Sequence, residues 1–189
     1  ADSQVTGRLT SIMKKINLED QSEARGYRKI EISTQRSHLK GFEFDKNVSF
    51  NGVFNAPYSL THTVDRESGE FVLDSFNPAN LVNPPSGATH FRLICSLSVV
   101  SDFEYNGTTN TYDPMDADLN EVSDIQYSNY LDLFDILPAT TITVTLPGGV
   151  LPTISTTVLQ CIGIEFYQQV GGNYYLFSSG NCLKIEDAF

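Results

Sequence analysis

The segment from residue 113 to 121 carries the side chains whose types and spacing could bind a cation. Its oxygen-bearing side chains are Asp113, Asp116, Asp118, Asn120 and Glu121. Carboxylate and amide oxygens are the hard ligands that calcium takes in proteins. An EF-hand loop starting at Asp116 does not fit, because Glu121 stands where glycine is needed and Tyr127 where the last glutamate is needed. Two interpretations stay open, an irregular calcium site and a solvated acidic loop.

The region around this segment contains four tyrosines, and its composition is typical of a contact surface. They are Tyr105, Tyr112, Tyr127 and Tyr130. Tyrosine mixed with Asn and Asp is typical of adaptable binding loops. The same mixture suits sugar binding, although the absence of tryptophan weakens that interpretation. Ordinary packing at the rim of the domain is the alternative.

Histidine and serine patterns predict no catalytic site. None of His38, His62 and His90 has a second His or a Cys at metal-ligand spacing. Because His62 lies on the apolar side of its predicted strand, a hydrogen-bonded core histidine is expected there. No G-x-S-x-G elbow supports a serine nucleophile. If the chain is an enzyme of unrecognised type, its structure should contain a pocket lined by titratable groups with perturbed pKa values.

The three cysteines are expected to be buried thiols on strands. The number of cysteines is odd, and Cys95, Cys161 and Cys182 show no C-x-x-C spacing. Both facts disfavour a disulfide framework or a zinc site. A bridge between Cys161 and Cys182 on neighbouring strands is the alternative.

The charge is distributed very unevenly along the chain. Residues 1–46 hold nine of the twelve Lys and Arg against seven acids, whereas residues 47–189 hold three basic residues against sixteen acids. An acidic body of this kind repels phosphate, so it predicts no nucleic-acid binding and disfavours anionic lipid. A basic protein partner or a divalent cation remains compatible. No apolar run reaches the length of about 18 residues that a membrane helix needs.

Periodicity predicts one helix followed by many strands. Val5, Leu9, Ile12, Met13 and Ile16 share one helical face, so a helix is expected over residues 3–16. A hairpin is predicted from residues 58–65 and 71–73, joined by the turn at 66–69. Further strands are predicted at 27–33, 42–45, around the Asn-Gly turn at 51–52, and at 91–99, 141–146, 158–169, 174–178 and 182–186. Ile94 interrupts the polar face of its strand, so this strand is expected to be covered on both sides.

These elements predict a mainly β chain, an antiparallel β-sandwich of the immunoglobulin/fibronectin-like or jelly-roll-like kind with one short N-terminal helix. Residues 1–22 are expected to form the helix and a linker, and residues 23–189 the sandwich. Residues 102–135 hold nine acids and no basic residue, and we expect a long excursion there that ends in an edge strand near 130–136.

Four segments resemble a family of hypothetical proteins from Bacteroidota. They are residues 39–44 (LKGFEF), 54–58 (FNAPY), 85–91 (PSGATHF) and 163–170 (GIEFYQQV). The resemblance spans most of the chain. It implies that a more basic, glycine-rich segment precedes this region in the family. It implies no activity and no functional residues.

The expected function is that of a non-catalytic interaction or structural subunit, with the loops of the sandwich as its contact surface. A protein partner or self-association is expected, with no cofactor unless calcium binds. A calcium-assisted or carbohydrate-binding module is the first alternative, and an enzyme of unrecognised type is the second. The sequence predicts no cellular compartment.

Overall fold

The computed structural model describes residues 2–189, most of whose regular structure is antiparallel sheet. The helices are α1 Val5–Glu19, α2 Ile32–Gln35, α3 Phe50–Val53 and α4 Pro78–Leu81. The strands are β1 Tyr58–His62, β2 Ser68–Leu73, β3 His90–Ser101, β4 Phe103–Asn106, β5 Thr111–Pro114, β6 Ser123–Tyr127, β7 Leu131–Asp132, β8 Thr140–Thr145, β9 Thr156–Val170, β10 Asn173–Leu176 and β11 Cys182–Ala188. The predicted mainly β fold with an N-terminal helix is confirmed.

The strands form two main sheets and a separate hairpin. The smaller sheet has the order β1-β2-β8, and the larger has the order β10-β9-β3-β6. In the larger sheet β3 pairs with β9 from His90↔Tyr167 to Ser101↔Thr156. Because β9 is long, β11 pairs with its first part and β10 with its last part on the same edge. Strand β7 extends the other edge beside β3, and β4 and β5 form the hairpin.

The main core lies between the two sheets. Phe71 and Leu73 on β2 alternate with half-buried neighbours, and Ile142 and Val144 on β8 alternate with exposed ones. Opposite them, the larger sheet contributes the buried side chains of Leu93, Cys95, Leu97, Ile162, Ile164 and Phe166. Alternate residues of a strand point to opposite faces, so each strand delivers one apolar side to this layer. The predicted hairpin of β1 and β2 forms its edge.

The second face of the larger sheet is covered by the N-terminal part of the chain. Leu159, Cys161 and Ile185 point outward from β9 and β11 and are buried. Ile16 of α1 packs against them, together with Ile32, Leu39 and Phe42. We call α1 and residues 30–44 the N-terminal layer. Because the first part of β9 has core on both faces, its residues from 156 to 164 are all buried instead of alternating between buried and exposed.

Several local predictions between residues 27 and 64 are wrong. Residues 27–33 form no strand, because Ile30 makes a single bridge to Phe103 and α2 begins two residues later. Around the Asn-Gly dipeptide a helical turn replaces the predicted strands, since the Ser49 side chain accepts from the Gly52 N–H. His62 is exposed rather than a core residue, and its ring stacks on Phe189 at 3.8 Å.

Two further differences concern length and position. Helix α1 runs three residues beyond its predicted end, to Glu19. The predicted edge strand near residues 130–136 shrinks to the two-residue β7, and the longer edge strand of this region is β6. Among residues 2–189, no helix is long and apolar enough to cross a membrane.

Because of Asp20, at the end of α1, the stability of the fold should decrease as the pH falls through the acidic range. Its carboxylate accepts from the Ser22 hydroxyl, the Ser22 N–H and the Lys29 N–H, and these bonds lower its pKa from 3.8 to about 2. A carboxyl whose pKa is lower in the folded state adds stability above pH 3.8, and this stability is lost as the pH falls towards 2.

Replacing Asp20 with asparagine therefore tests the contribution of this carboxylate. Asn keeps one acceptor oxygen but offers an NH₂ group where the second carboxylate oxygen accepted. We expect a lower Tm at neutral pH and a shallower fall of Tm on acidification. Thermal melts of both proteins across this pH range measure it. An Asp20→Asn curve parallel to that of the parent protein would contradict the assignment.

Candidate functional site

The N-terminal layer covers only part of the outer face of the larger sheet. Beyond its edge, the ladders place Tyr127, Ile94, Gly163 and Leu183 in one row across β6, β3, β9 and β11. Ile125 lies on β6 opposite Ser96, on the same face as Tyr127. Ile125 is 42% exposed and Tyr127 is 39% exposed. An apolar strip of the sheet is therefore open to solvent beside α1.

A groove of about 760 Å³ runs along this strip. Its apolar lining comes from Val5, Phe44, Val48, Ile94, Ile125, Tyr127 and Leu183. The segment from Ser178 to Cys182, between β10 and β11, forms a second, more polar wall. Open apolar grooves of this size are typical ligand or partner sites rather than ordinary surface. We call this feature the outer groove.

A group of stacked tyrosines with one arginine lies beside the outer groove. The Arg92 guanidinium lies 4.4 Å from the ring centre of Tyr127 and 5.0 Å from that of Tyr130. The Tyr130 ring stacks on Tyr174 at 3.7 Å and meets Tyr167 edge to face at 5.0 Å. Cation–π contact and stacking hold these side chains in one arrangement. We call Arg92, Tyr127, Tyr130, Tyr167 and Tyr174 the tyrosine cluster.

Hydrogen bonds fix the polar groups of this cluster. The Arg92 Nε donates to the Ser128 carbonyl at 3.0 Å. The Tyr167 hydroxyl donates to Glu165 at 2.6 Å. Burial, followed by this carboxylate, raises the pKa of Tyr167 well above its usual value. The tyrosine hydroxyl is therefore protonated at neutral pH and acts as the donor to Glu165.

The four tyrosines of the acidic excursion are separated into two pairs. Tyr127 and Tyr130 flank Arg92 beside the outer groove. Tyr105 and Tyr112 face each other on the β4–β5 hairpin, 5.7 Å apart. The first of these packs on Tyr27, and the hydroxyl of the second donates to the Arg28 carbonyl. The hairpin pair therefore contacts the chain beyond α1.

Sequence reasoning missed the partners of Tyr127 and Tyr130. Tyr167 and Tyr174 lie about 40 residues away in the chain and join the cluster only through the β9–β10 and β3–β9 ladders. In the sequence pattern, Arg92 is one of several polar residues on one face of its strand. The apolar Ile94 on that same face, which is 6% exposed, was the one indication that this face contacts other side chains.

The five residues of the candidate calcium segment do not converge. Asp113 accepts from Asn106 and Thr111, Asp116 accepts from Thr153, and the Asn120 side chain accepts from the Ser101 N–H. Asp118 is exposed, and Glu121 has a positive φ of 73°. Within residues 2–189, no three His, Cys, Asp or Glu side chains come close enough to share a metal ion.

All three cysteines are free and buried, as predicted. Burial raises the pKa of the Cys95 thiol to about 11 and that of the Cys182 thiol to about 12. At neutral pH these thiols are protonated and weakly nucleophilic. Cys182 is opposite Ile164 in the ladder, so it points to the main core, whereas Cys161 faces the N-terminal layer. A bridge between them would have to pass through the sheet.

Comparisons with known proteins add no relative. No family model matches the chain, and neither a curated protein nor a solved structure does. The sandwich is therefore not assigned to the immunoglobulin-like or the jelly-roll class.

Proposed function

We propose that the chain is a non-catalytic interaction subunit whose contact surface is the outer groove together with the tyrosine cluster. The single observation that carries this proposal is the incomplete cover of the larger sheet. The outer face of this sheet carries a strip of apolar side chains that includes Leu159 and Cys161, but the N-terminal layer covers one part of the face and leaves Ile125 and Tyr127 exposed. Exposed apolar strips rimmed by polar residues are typical of interaction sites.

The composition of this surface supports the same proposal. Tyrosine and arginine are enriched where protein partners bind, because they combine a large apolar area with polar groups at low entropic cost. Here the stacking on Tyr130 and the hydrogen bond of Arg92 order the side chains before a partner arrives. A surface ordered in advance loses less conformational entropy on binding.

The proposed surface refines the expectation that loops of the acidic excursion make the contacts. Tyr127 and Tyr130 of the excursion contribute to it, together with β3, β9 and β10. The β4–β5 hairpin, with Tyr105 and Tyr112, is not part of this surface. The resemblance to hypothetical proteins from Bacteroidota assigns no residue to either region.

Site-specific photo-crosslinking tests the proposal. A benzophenone amino acid is placed at Ile125, and separately at Val64, which is 102% exposed in the β1–β2 turn and does not line the groove. In cells of the organism that encodes the chain, position 125 should give one discrete adduct and position 64 should give none. An adduct of twice the chain mass would indicate a self-associating structural subunit. Equal labelling from both positions would contradict the proposed surface.

A further inference from the structure

The charges around the outer groove indicate which kind of partner it fits. We propose that the groove binds a protein segment in which apolar side chains flank a Lys or Arg. This inference rests on the proposed function and specifies the partner of the same surface. It is carried by the carboxylates that line an otherwise apolar groove.

Within residues 2–189, the lining of the groove holds three carboxylates and no Lys or Arg side chain. They belong to Asp2, Asp45 and Glu165. Asp2 is already paired, because it accepts from the Gln4 N–H and forms a salt bridge of 2.6 Å with Arg8. These contacts lower the pKa of Asp2. Two carboxylates of the lining are therefore available to a partner.

Neither Asp45 nor Glu165 forms a salt bridge among residues 2–189. In the part of the chain that the structure describes, the Asp45 carboxylate accepts only from the N–H of Asn47. Glu165 accepts from the Tyr167 hydroxyl and stands opposite Arg92 in the ladder. No nitrogen of Arg92 lies within 4.0 Å of it, because the guanidinium lies over Tyr127 and Tyr130. A Lys or Arg of a partner would give either carboxylate a salt bridge that it lacks within residues 2–189.

The shape of the groove favours a chain segment over a small ligand. Its apolar lining is split between α1, the 44–48 segment and three strands, and Ile125 and Tyr127 keep about two fifths of their surface exposed. An open groove of this kind holds successive side chains of a segment, whereas small ligands are usually enclosed on most sides. The net charge of −11 adds long-range attraction for a basic partner.

Labelled peptides test this inference directly in fluorescence-anisotropy titrations at low salt. The probe is a fifteen-residue peptide of alternating Leu and Lys, and the comparison peptides replace every Leu by Ser or every Lys by Glu. We expect the Leu/Lys peptide to bind the full chain at least about tenfold more tightly than either comparison peptide. Equal binding of the Ser/Lys peptide would overturn the inference, since it would show attraction to charge alone.

Two pairs of variants separate the groove from the general acidity of the chain. The double variant Asp45→Asn, Glu165→Gln should weaken Leu/Lys binding about tenfold. The control pair Glu104→Gln, Asp118→Asn removes the same charge from two exposed sites outside the groove and should leave binding within about twofold. Equal weakening by the two pairs would overturn the inference. Thermal melts establish that all variants are folded.

Failure of this inference can be distinguished from failure of the proposed function. If position 125 crosslinks to a partner but the Leu/Lys peptide does not bind, the outer groove is a contact surface for another chemistry. That result overturns the inference and leaves the proposed function standing. If neither experiment gives a signal at the groove, both are wrong.

Discussion

Replacing Phe71 with alanine should lower the free energy of unfolding by about 3–5 kcal/mol. Phe71 is fully buried between the two sheets, where its ring lies 5.3 Å from Tyr58 and 6.5 Å from Phe50. The substitution removes apolar burial and leaves a cavity that rigid strands on both sides cannot close. Urea denaturation followed by circular dichroism measures the change. For a chain of this length, Tm should fall by about 2–4 °C per kcal/mol.

A surface phenylalanine supplies the matched control. Phe134 is 73% exposed, so Phe134→Ala removes the same side chain without opening a cavity. We expect a change within about 0.5 kcal/mol. Similar losses from both variants would show that Phe71 does not connect the two sheets in the way described here.

Replacing Gly163 with alanine should destabilise the chain by about 1–3 kcal/mol, because the pairing of β9 with β11 leaves no room for a methyl group. A Cβ at this position would lie 2.7 Å from the Cys182 carbonyl oxygen and 2.9 Å from the Leu183 side chain. In an ordinary strand interior, alanine is instead more favourable than glycine. The sign of the effect therefore tests the close approach of β11.

Hydrogen exchange locates this effect within the sheet. Relative to the parent protein, the Gly163→Ala variant should show faster amide exchange in β11. The exchange rates in β2, which pairs with β1 and β8 in the other sheet, should change less. Gly107→Ala serves as the control, since nothing lies within 4 Å of a Cβ built there. A variant at position 163 that is as stable as the parent protein would show that β11 can move away at no cost.

Elements defined by local periodicity were predictable. The apolar stripe from Val5 to Ile16 indicates α1, and alternation with a four-residue turn indicates the β1–β2 hairpin. Such patterns are local, because side-chain direction repeats with the period of the backbone itself. The expected cover on both faces of β3 is incomplete, because Ile94 is only 6% exposed but lines the open outer groove. Burial of the three cysteines follows from their places on apolar strands.

The region from residue 27 to 54 was not predictable in the same way. Its short alternating stretches resemble strands, yet they make single bridges or capped turns against β4 and β11. Glu43 illustrates the reason. It pairs with Lys184 in one bridge, and its carboxylate accepts from the Phe50 N–H at 3.0 Å. The partners come from distant parts of the chain, so local pattern does not reveal how many strand bonds form.

Composition and periodicity are enough to predict a mainly β chain with an N-terminal helix, an acidic body and thiols buried on apolar strands. Which tyrosines meet depends on the tertiary structure, since Tyr130 and Tyr174 stack through strands that are distant in sequence. The separate hydrogen bonds of Asp113 and Asp116 and the part of the sheet that the N-terminal layer leaves open depend on it as well. The physical reason is that periodicity sets the face of each side chain, whereas strand order and register set what stands opposite that face.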